Sequence, residues 1–284
     1  MDLIAIDLDG TLLNSKNQIS EENIKAIQYA KERDVEIVIA TGRAEFDVRQ
    51  IFADLPVDTW VIGANGATIH QPDGSLFDAV PIEEEDAEKI LKWLEAKEFY
   101  YEVFSDSSIL TPQNGQELLQ IELDRIRSAN PHSDIERLEV ALEKQFSQTG
   151  FFSIDSYKDI IEAHHPVYNV LAFSFDEEKL QEGWEQFQSS QNLTIVSSAD
   201  HNFELEHRSA SKGSALQKLA DYLDIPIENT AAIGDSPNDL SMISIAGQTA
   251  AMGNAKESVL KASDSITRTN DQNGVAYKIY QWLN

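Results

Sequence analysis

The chain has 284 residues, 42% hydrophobic and 25% charged, which is the balance of a globular protein and long for one core, so an insertion or a second domain is expected. Its formal net charge of −27 argues against nucleic acid and anionic membranes as partners, since the summed field repels both. The absence of cysteine excludes disulfides and thiolate metal sites and fits a reducing compartment.

No apolar run approaches the ~20 residues a membrane helix needs. Residues 1–6 are apolar, but Asp2, Asp7 and Asp9 interrupt the run and no basic segment precedes it, so a cytoplasmic chain without a targeting segment is expected.

In chain order, residues 3–6 form a short apolar run that stops at Asp7-Leu8-Asp9-Gly10-Thr11, as a buried parallel strand does. Ser20 is placed to cap a helix through Ile24, Ile27 and Ala30, with Asn23 where a capping box would carry Glu or Gln. Residues 35–40 read as a second buried strand ending at Thr41-Gly42-Arg43. A helix carrying Phe46, Val48, Ile51 and Phe52 follows, and then a strand over 60–62. This alternation predicts an α/β fold with a doubly wound, Rossmann-like parallel sheet. The rhythm then changes. Residues 67–69 and 76–80 flank Pro72-Asp73-Gly74 and predict a hairpin. Helices are expected over 87–97, 115–130, 135–146 and 179–189, and strands over 100–104, 170–175 and 193–197. Residues 84–200 thus read as an inserted α/β domain, leaving 1–83 and 201–284 as the core. The first rhythm returns with helices over 212–223, 240–246 and 275–283 and strands over 231–233, 249–252 and 265–267.

Three predicted strands end in small polar clusters: Asp7 and Asp9, then Thr41, then Asp235. Ligands of open parallel sheets bind outside the carboxyl ends of the strands, so these clusters are expected to meet in one crevice. Lys212 opens a helix, where free N–H groups favour an anion. Asp7, Asp9, Asp235 and Asp239 would bring up to four carboxylates together. Two like charges at ~4 Å repel by about 4 kcal/mol at an effective dielectric of 20, so the cluster must take up protons or a cation. Oxygen donors without His or Cys point to a hard ion, and Mg²⁺ fits. Asp7 and Asp9, two apart in an extended segment, could attack phosphorus and protonate the leaving oxygen respectively. Gly10 permits a close turn, and Thr11 could hydrogen-bond back to a carboxylate.

Asp7-Leu8-Asp9-Gly10-Thr11, Ala40-Thr41-Gly42-Arg43, Ser211-Lys212-Gly213 and Gly234-Asp235-Ser236-Pro237-Asn238-Asp239 resemble, in order, the four motifs of the haloacid-dehalogenase-like (HAD) phosphatases. Asn65-Gly66-Ala67, Ala251-Met252-Gly253-Asn254-Ala255 and Asn273-Gly274-Val275 resemble the Cof subfamily, whose large cap the inserted domain would match by layout. The resemblance implies Asp7 as nucleophile and metal ligand, Asp9 as acid/base and carbonyl metal ligand, and Asp235 as metal ligand. It implies phosphate binding by the Leu8 N–H, Thr41, Gly42, Lys212 and Asn238, with Asp239 supporting the metal shell. Ser236 departs from the Asn often found there. The expected activity is Mg²⁺-dependent hydrolysis of small phosphorylated metabolites, with sugar phosphates, the phosphorylated riboflavin precursor, flavin mononucleotide and pyridoxal phosphate as typical substrates. A monomer or weak homodimer is expected, and Arg43 and Asn65 are candidate leaving-group contacts.

Taken singly, each motif has a plain reading: a calcium-loop fragment, a strand–helix turn, an N-cap beside a surface lysine, a polar turn. Their order and their positions at strand ends are what is specific. A phosphotransferase such as a phosphomutase and a non-catalytic phosphometabolite-binding protein remain as alternatives. His164-His165 and the acidic run 83–86 read as structural.

Overall fold

The computed structural model describes residues 1–55, 57–129, 135–146, 149–197 and 200–284. The chain enters through β1 (Leu3–Ile6), α1 (Glu21–Lys31), β2 (Glu36–Ala40), α2 (Glu45–Phe52) and β3 (Trp60–Gly63), followed by β4 (Thr68–His70) and β5 (Leu76–Ala79). It continues with α3 (Glu84–Ala96), β6 (Tyr100–Phe104), β7 (Ile109–Pro112), α4 (Gly115–Ala129) and α5 (Ile135–Gln145). Then come β8 (Phe151–Ile154), α6 (Tyr157–Glu162), β9 (Asn169–Phe173), α7 (Glu177–Phe187), β10 (Leu193–Val196) and β11 (Asn202–His207). It ends with α8 (Lys212–Tyr222), β12 (Thr230–Gly234), α9 (Leu240–Ile243), β13 (Gln248–Ala251), α10 (Glu257–Ala262), β14 (Ser265–Ile266) and α11 (Gly274–Leu283).

Two compact units result: Met1–Val80 with Ser209–Asn284, and Pro81–Arg208. The first holds an eight-stranded sheet in the order β14-β13-β12-β1-β2-β3-β4-β5. β14 to β3 are parallel, and the β4–β5 hairpin runs antiparallel at one edge. Strands buried on both faces need apolar side chains on both, which is why β1 reads as an unbroken run. Ile4 and Ile6 pack with α1 and α11 residues such as Ile27 and Ile279, while Leu3 and Ala5 pack on the other face with Leu216 and Leu219 of α8. From β1 the chain moves to β2 on one side and later to β12 on the other, so a topological switch point lies at the carboxyl end of β1.

Ser20 caps α1 as expected, accepting from the Asn23 N–H. Asn23 does a different job: its Nδ2 donates to the Leu12 carbonyl at 3.3 Å, and its Oδ1 accepts from the Ala276 N–H at 3.0 Å. One buried amide thereby ties α1 to the turn after β1 and to the start of α11.

The second unit is a six-stranded sheet, β10-β11-β9-β6-β7-β8, antiparallel except between β7 and β8. One face packs on α3, α6 and α7 through Ile90, Leu94, Ile160 and Phe187. The sequence reading ended the insertion at 200, whereas β11 pairs between β10 and β9 and carries the unit to Arg208. β7, β8, α6 and β11 were not anticipated, and the expected helix end at 130 lies outside the described residues. Among the described residues no helix is long and apolar enough to cross a membrane.

Candidate active site

The Asp7 N–H donates to the Ile233 carbonyl at 3.0 Å, so the β1–β12 pairing reaches the first residue of the motif. The chain then coils tightly, with the Leu12 N–H on the Asp7 carbonyl (3.2 Å) and the Leu13 N–H on the Leu8 carbonyl (2.9 Å). Gly10 makes this turn at φ 77°, and a Cβ there would stand 2.5 Å from Asp235 Oδ2. Both the left-handed backbone and the close approach of Asp235 therefore require glycine. Thr11 is buried and donates to Asp235 Oδ1 at 3.3 Å, so it fixes the carboxylate of the neighbouring strand end rather than one in its own loop.

Lys212 is the first residue of α8, capped by Ser211, whose Oγ accepts from the Ser214 N–H at 3.0 Å. Its side chain is fully buried, and Nζ donates to Asp7 Oδ1 and to Asp239 Oδ1, each at 2.7 Å. The other oxygen of Asp239 accepts the N–H groups of Asp235 (2.9 Å) and Ser236 (3.0 Å). Both oxygens of Asp239 are thus committed to holding Lys212 and the loop after β12.

The electrostatics follow from this enclosure. Burial, reinforced by the charges of Asp239 and Asp235, holds the Asp7 carboxyl well above its usual range despite the opposing pull of Lys212. Asp235 is pushed up to about 6, first by burial and then by Asp239. Burial works against the Lys212 charge, but Asp239 and Asp7 outweigh it and hold the ammonium above its ordinary range.

The β2 and β3 ends close the other side. Thr41 is buried, its Oγ1 accepting from the Arg43 N–H at 3.1 Å and its carbonyl from the Asn65 N–H at 3.0 Å. Asn65, at φ 53°, accepts from Asn238 Nδ2 at 3.0 Å through its Oδ1. A Cβ on Gly42 would sit 3.2 Å from that same oxygen, so Gly42 lets the two loops close together. Arg43, expected near a leaving group, forks onto Asp9 with Nε to Oδ2 at 2.7 Å and Nη2 to Oδ1 at 2.8 Å, and reaches Asp47 with Nη1 at 2.6 Å. Burial opposes the guanidinium charge, and the two carboxylates more than restore it.

The structure therefore gathers the site residues into two hydrogen-bonded groups, Asp7, Lys212, Asp239, Asp235 and Thr11 in one and Asp9, Arg43, Thr41, Asn65 and Asn238 in the other with Gly42 against Asn65, and Leu8, buried in the turn between the two acids, joins them along the chain. Asp47 was missed, its only sequence signal being the four-residue spacing from Arg43 on a helical turn. Asn254, in the motif at 251–255, has a structural task that its sequence does not show. Its Nδ2 donates to the Gly10 carbonyl at 2.8 Å and its Oδ1 accepts from the Asn270 N–H at 3.0 Å, and the Lys256 N–H holds the Asp235 carbonyl at 2.9 Å. The loop after β13 thus braces both acidic turns.

Asp7, Asp235 and Asp239 offer carboxylate oxygens within 4.8 Å of one another, a group that could hold a metal ion. Asp7 Oδ2 is buried with no hydrogen-bond partner among the described residues, which leaves a donor for a cation, whereas the oxygens of Asp239 are already engaged. An oxygen-only set suits a hard divalent ion.

A family model described as haloacid dehalogenase-like hydrolase matches residues 4–279. The chain is 54% identical to Phosphatase YwpJ of Bacillus subtilis over 285 residues, covering 100% of both chains. It is 41% identical to the 5-amino-6-(5-phospho-D-ribitylamino)uracil phosphatase YwtE of the same organism, covering 100% of this chain and 98% of that one. A solved haloacid dehalogenase-like hydrolase from B. subtilis matches the fold with a TM-score of 0.89 at 53% identity, covering 100% of both chains.

Proposed function

The chain belongs to the haloacid dehalogenase-like hydrolase family, and on that premise we propose that it hydrolyses phosphate monoesters of small metabolites through an aspartyl-phosphate on Asp7. One observation carries the reading: Asp7 lies buried at the switch point of the sheet, with one oxygen on Lys212 Nζ at 2.7 Å and the other without a hydrogen-bond partner among the described residues. Such a carboxylate is fixed, dry and backed by a cation, as attack on an anionic ester requires.

In the first half-reaction an oxygen of Asp7 bonds to phosphorus while Asp9 gives its proton to the ester oxygen, and the alcohol leaves neutral. In the second, Asp9 takes a proton from water, the water oxygen bonds to phosphorus, and the bond from phosphorus to Asp7 breaks. Phosphate is released and Asp9 again holds its proton. The Leu8 N–H, Thr41, Gly42, Lys212 and Asn238 would hold the phosphoryl oxygens, with Asp239 keeping Lys212 in place. Asp7, Asp235 and the Asp9 carbonyl would hold a divalent ion, Mg²⁺ by its preference for oxygen donors, which when bound supplies charge neutralisation at the phosphoryl group.

The unit Pro81–Arg208 is proposed to act as a cap that reads the leaving group. The 41% identical relative makes the phosphorylated ribitylaminouracil ester the first substrate to assay, beside flavin mononucleotide, pyridoxal phosphate and sugar phosphates. A cytoplasmic location accompanies this reading, on the chain's charge and lack of cysteine. The test is an acid-quenched turnover with Mg²⁺ and labelled ester, the modified peptide being located by mass spectrometry. Label on Asp7, with label and turnover both lost in Asp7→Asn, is expected; turnover above trace in Asp7→Asn would refute the assignment.

A further inference from the structure

Asp47 lies outside every motif of the sequence, yet it is only 2% exposed in the first turn of α2. The bland explanation is an ion pair between residues four apart that ties the β2–α2 turn to its helix. The guanidinium geometry says more. Arg43 spends Nε and Nη2 on the two oxygens of Asp9 and Nη1 on Asp47, at 2.6 to 2.8 Å. A guanidinium is planar with its donors in a fixed fork, so three bonds to two carboxylates set both its position and its plane. With the Asp9 pair alone, the guanidinium and the carboxylate could swing together about the long arginine stem. Asp47 supplies the anchor that stops this, from a helix whose Val48 and Phe52 are packed into the core.

We propose that Asp47 is a positioning residue for the Asp9 side chain, acting through Arg43. The proposal rests on the reading of Asp9 as the group that protonates the leaving oxygen. Small misplacements of such a group cost rate steeply, and they cost it only where a proton is needed. An ester with a good leaving group, such as p-nitrophenyl phosphate, departs without protonation; an alkyl phosphate does not.

The experiment compares kcat and KM of wild type, Asp47→Ala, Asp47→Asn and Asp9→Asn on a series of phosphate esters of graded leaving-group pKa, at saturating Mg²⁺. In Asp47→Ala, kcat on alkyl phosphates should fall about 10- to 100-fold, with less than about a threefold fall on p-nitrophenyl phosphate and little change in KM. Asp47→Asn keeps an oxygen acceptor at the same place and should recover most of the loss. Equal loss across the series in Asp47→Ala, while Asp9→Asn is selective, would leave Asp47 as a merely structural pair and overturn the proposal. A non-selective Asp9→Asn would instead overturn the reading of Asp9, and the proposal with it. Should Asp47→Ala fail to fold, Asp47→Ser makes the same comparison, because its hydroxyl is too short to reach the Arg43 Nη1 that Asp47 holds at 2.6 Å while the Asp9 fork is left intact.

Discussion

Lys212→Met removes a cation that stands 2.7 Å from an oxygen of Asp7 and 2.7 Å from one of Asp239, in a site where Lys212 and Asp239 are fully buried. Methionine is close in length and apolar, so the cavity left behind adds little. The cost is then electrostatic, and removing one partner of a buried ion pair costs about 3–5 kcal/mol. It should also depend on pH. The Asp235 carboxyl stands at about 6 in the fold against 3.8 for the free side chain, and Asp7 is raised too, in both cases first by burial and then by Asp239. An acid whose folded pKa exceeds its unfolded value gives the native state the extra proton. Its stability is therefore greatest at low pH and falls as pH rises through the interval, from 3.8 to about 6 for Asp235. Lys212 pulls both carboxyls down, so its loss moves the upper end of that interval higher. In urea denaturation without metal, the variant should lie within about 1 kcal/mol of wild type near pH ~5, where protons replace the lost cation, and lose the full ~3–5 kcal/mol near pH ~8. Added Mg²⁺ should recover part of the loss at the higher pH and little at the lower, since binding needs ionised carboxylates. Equal destabilisation at both pH values would refute the reasoning, because a packing defect does not titrate.

Gly10→Ala would force a side chain into a left-handed turn and against Asp235 Oδ2, 2.5 Å from the new Cβ. Strain of about 1–3 kcal/mol is expected, with a loss of at least about tenfold in kcat/KM; unchanged kinetics would show that the turn relaxes freely. Asn254→Ala removes the 2.8 Å bond to the Gly10 carbonyl and should weaken Mg²⁺ binding about tenfold by titration calorimetry while the fold persists. An unchanged affinity would mean that the loop after β13 does not brace the turn proposed to hold the metal.

The parts of the fold that were legible in the sequence are those whose physics is local. β1, β2 and β12 announce themselves because a central parallel strand must be apolar on both faces, and the polar residues that stop them mark the crevice. β11 shows what was hidden. Asn202, Glu204 and Glu206 alternate with Phe203 and Leu205, a pattern that suggests one wet face, yet both glutamates are buried. Glu204 accepts from Asn169 Nδ2 on the neighbouring strand β9, 35 residues away in sequence, at 3.1 Å. Buried acids of this kind depend on partners far along the chain, so no local pattern reveals them. Asp47 is the same case in the site: an acid in a helix's first turn suits the dipole, and only its placement beside Arg43 makes it more.

Asp7 and Asp9 follow β1 two residues apart, and nothing in that short stretch distinguishes the roles proposed for them. The distinction comes from what each one meets. Asp7 keeps 7% of its side-chain surface and faces Lys212, which is 205 residues away in sequence. Asp9 keeps 32% of its side-chain surface and lies in the fork of Arg43, 34 residues away. A nucleophile benefits from enclosure, because water cannot then screen or replace the cation behind it. An acid/base must change its proton between two half-reactions, and the second of these draws on water, so it needs the wetter position. Exchanging the two environments would give a carboxylate too solvated to attack and another too enclosed to be recharged. The proposed division of roles therefore rests on the α8 and β2 ends as much as on the motif that carries the acids.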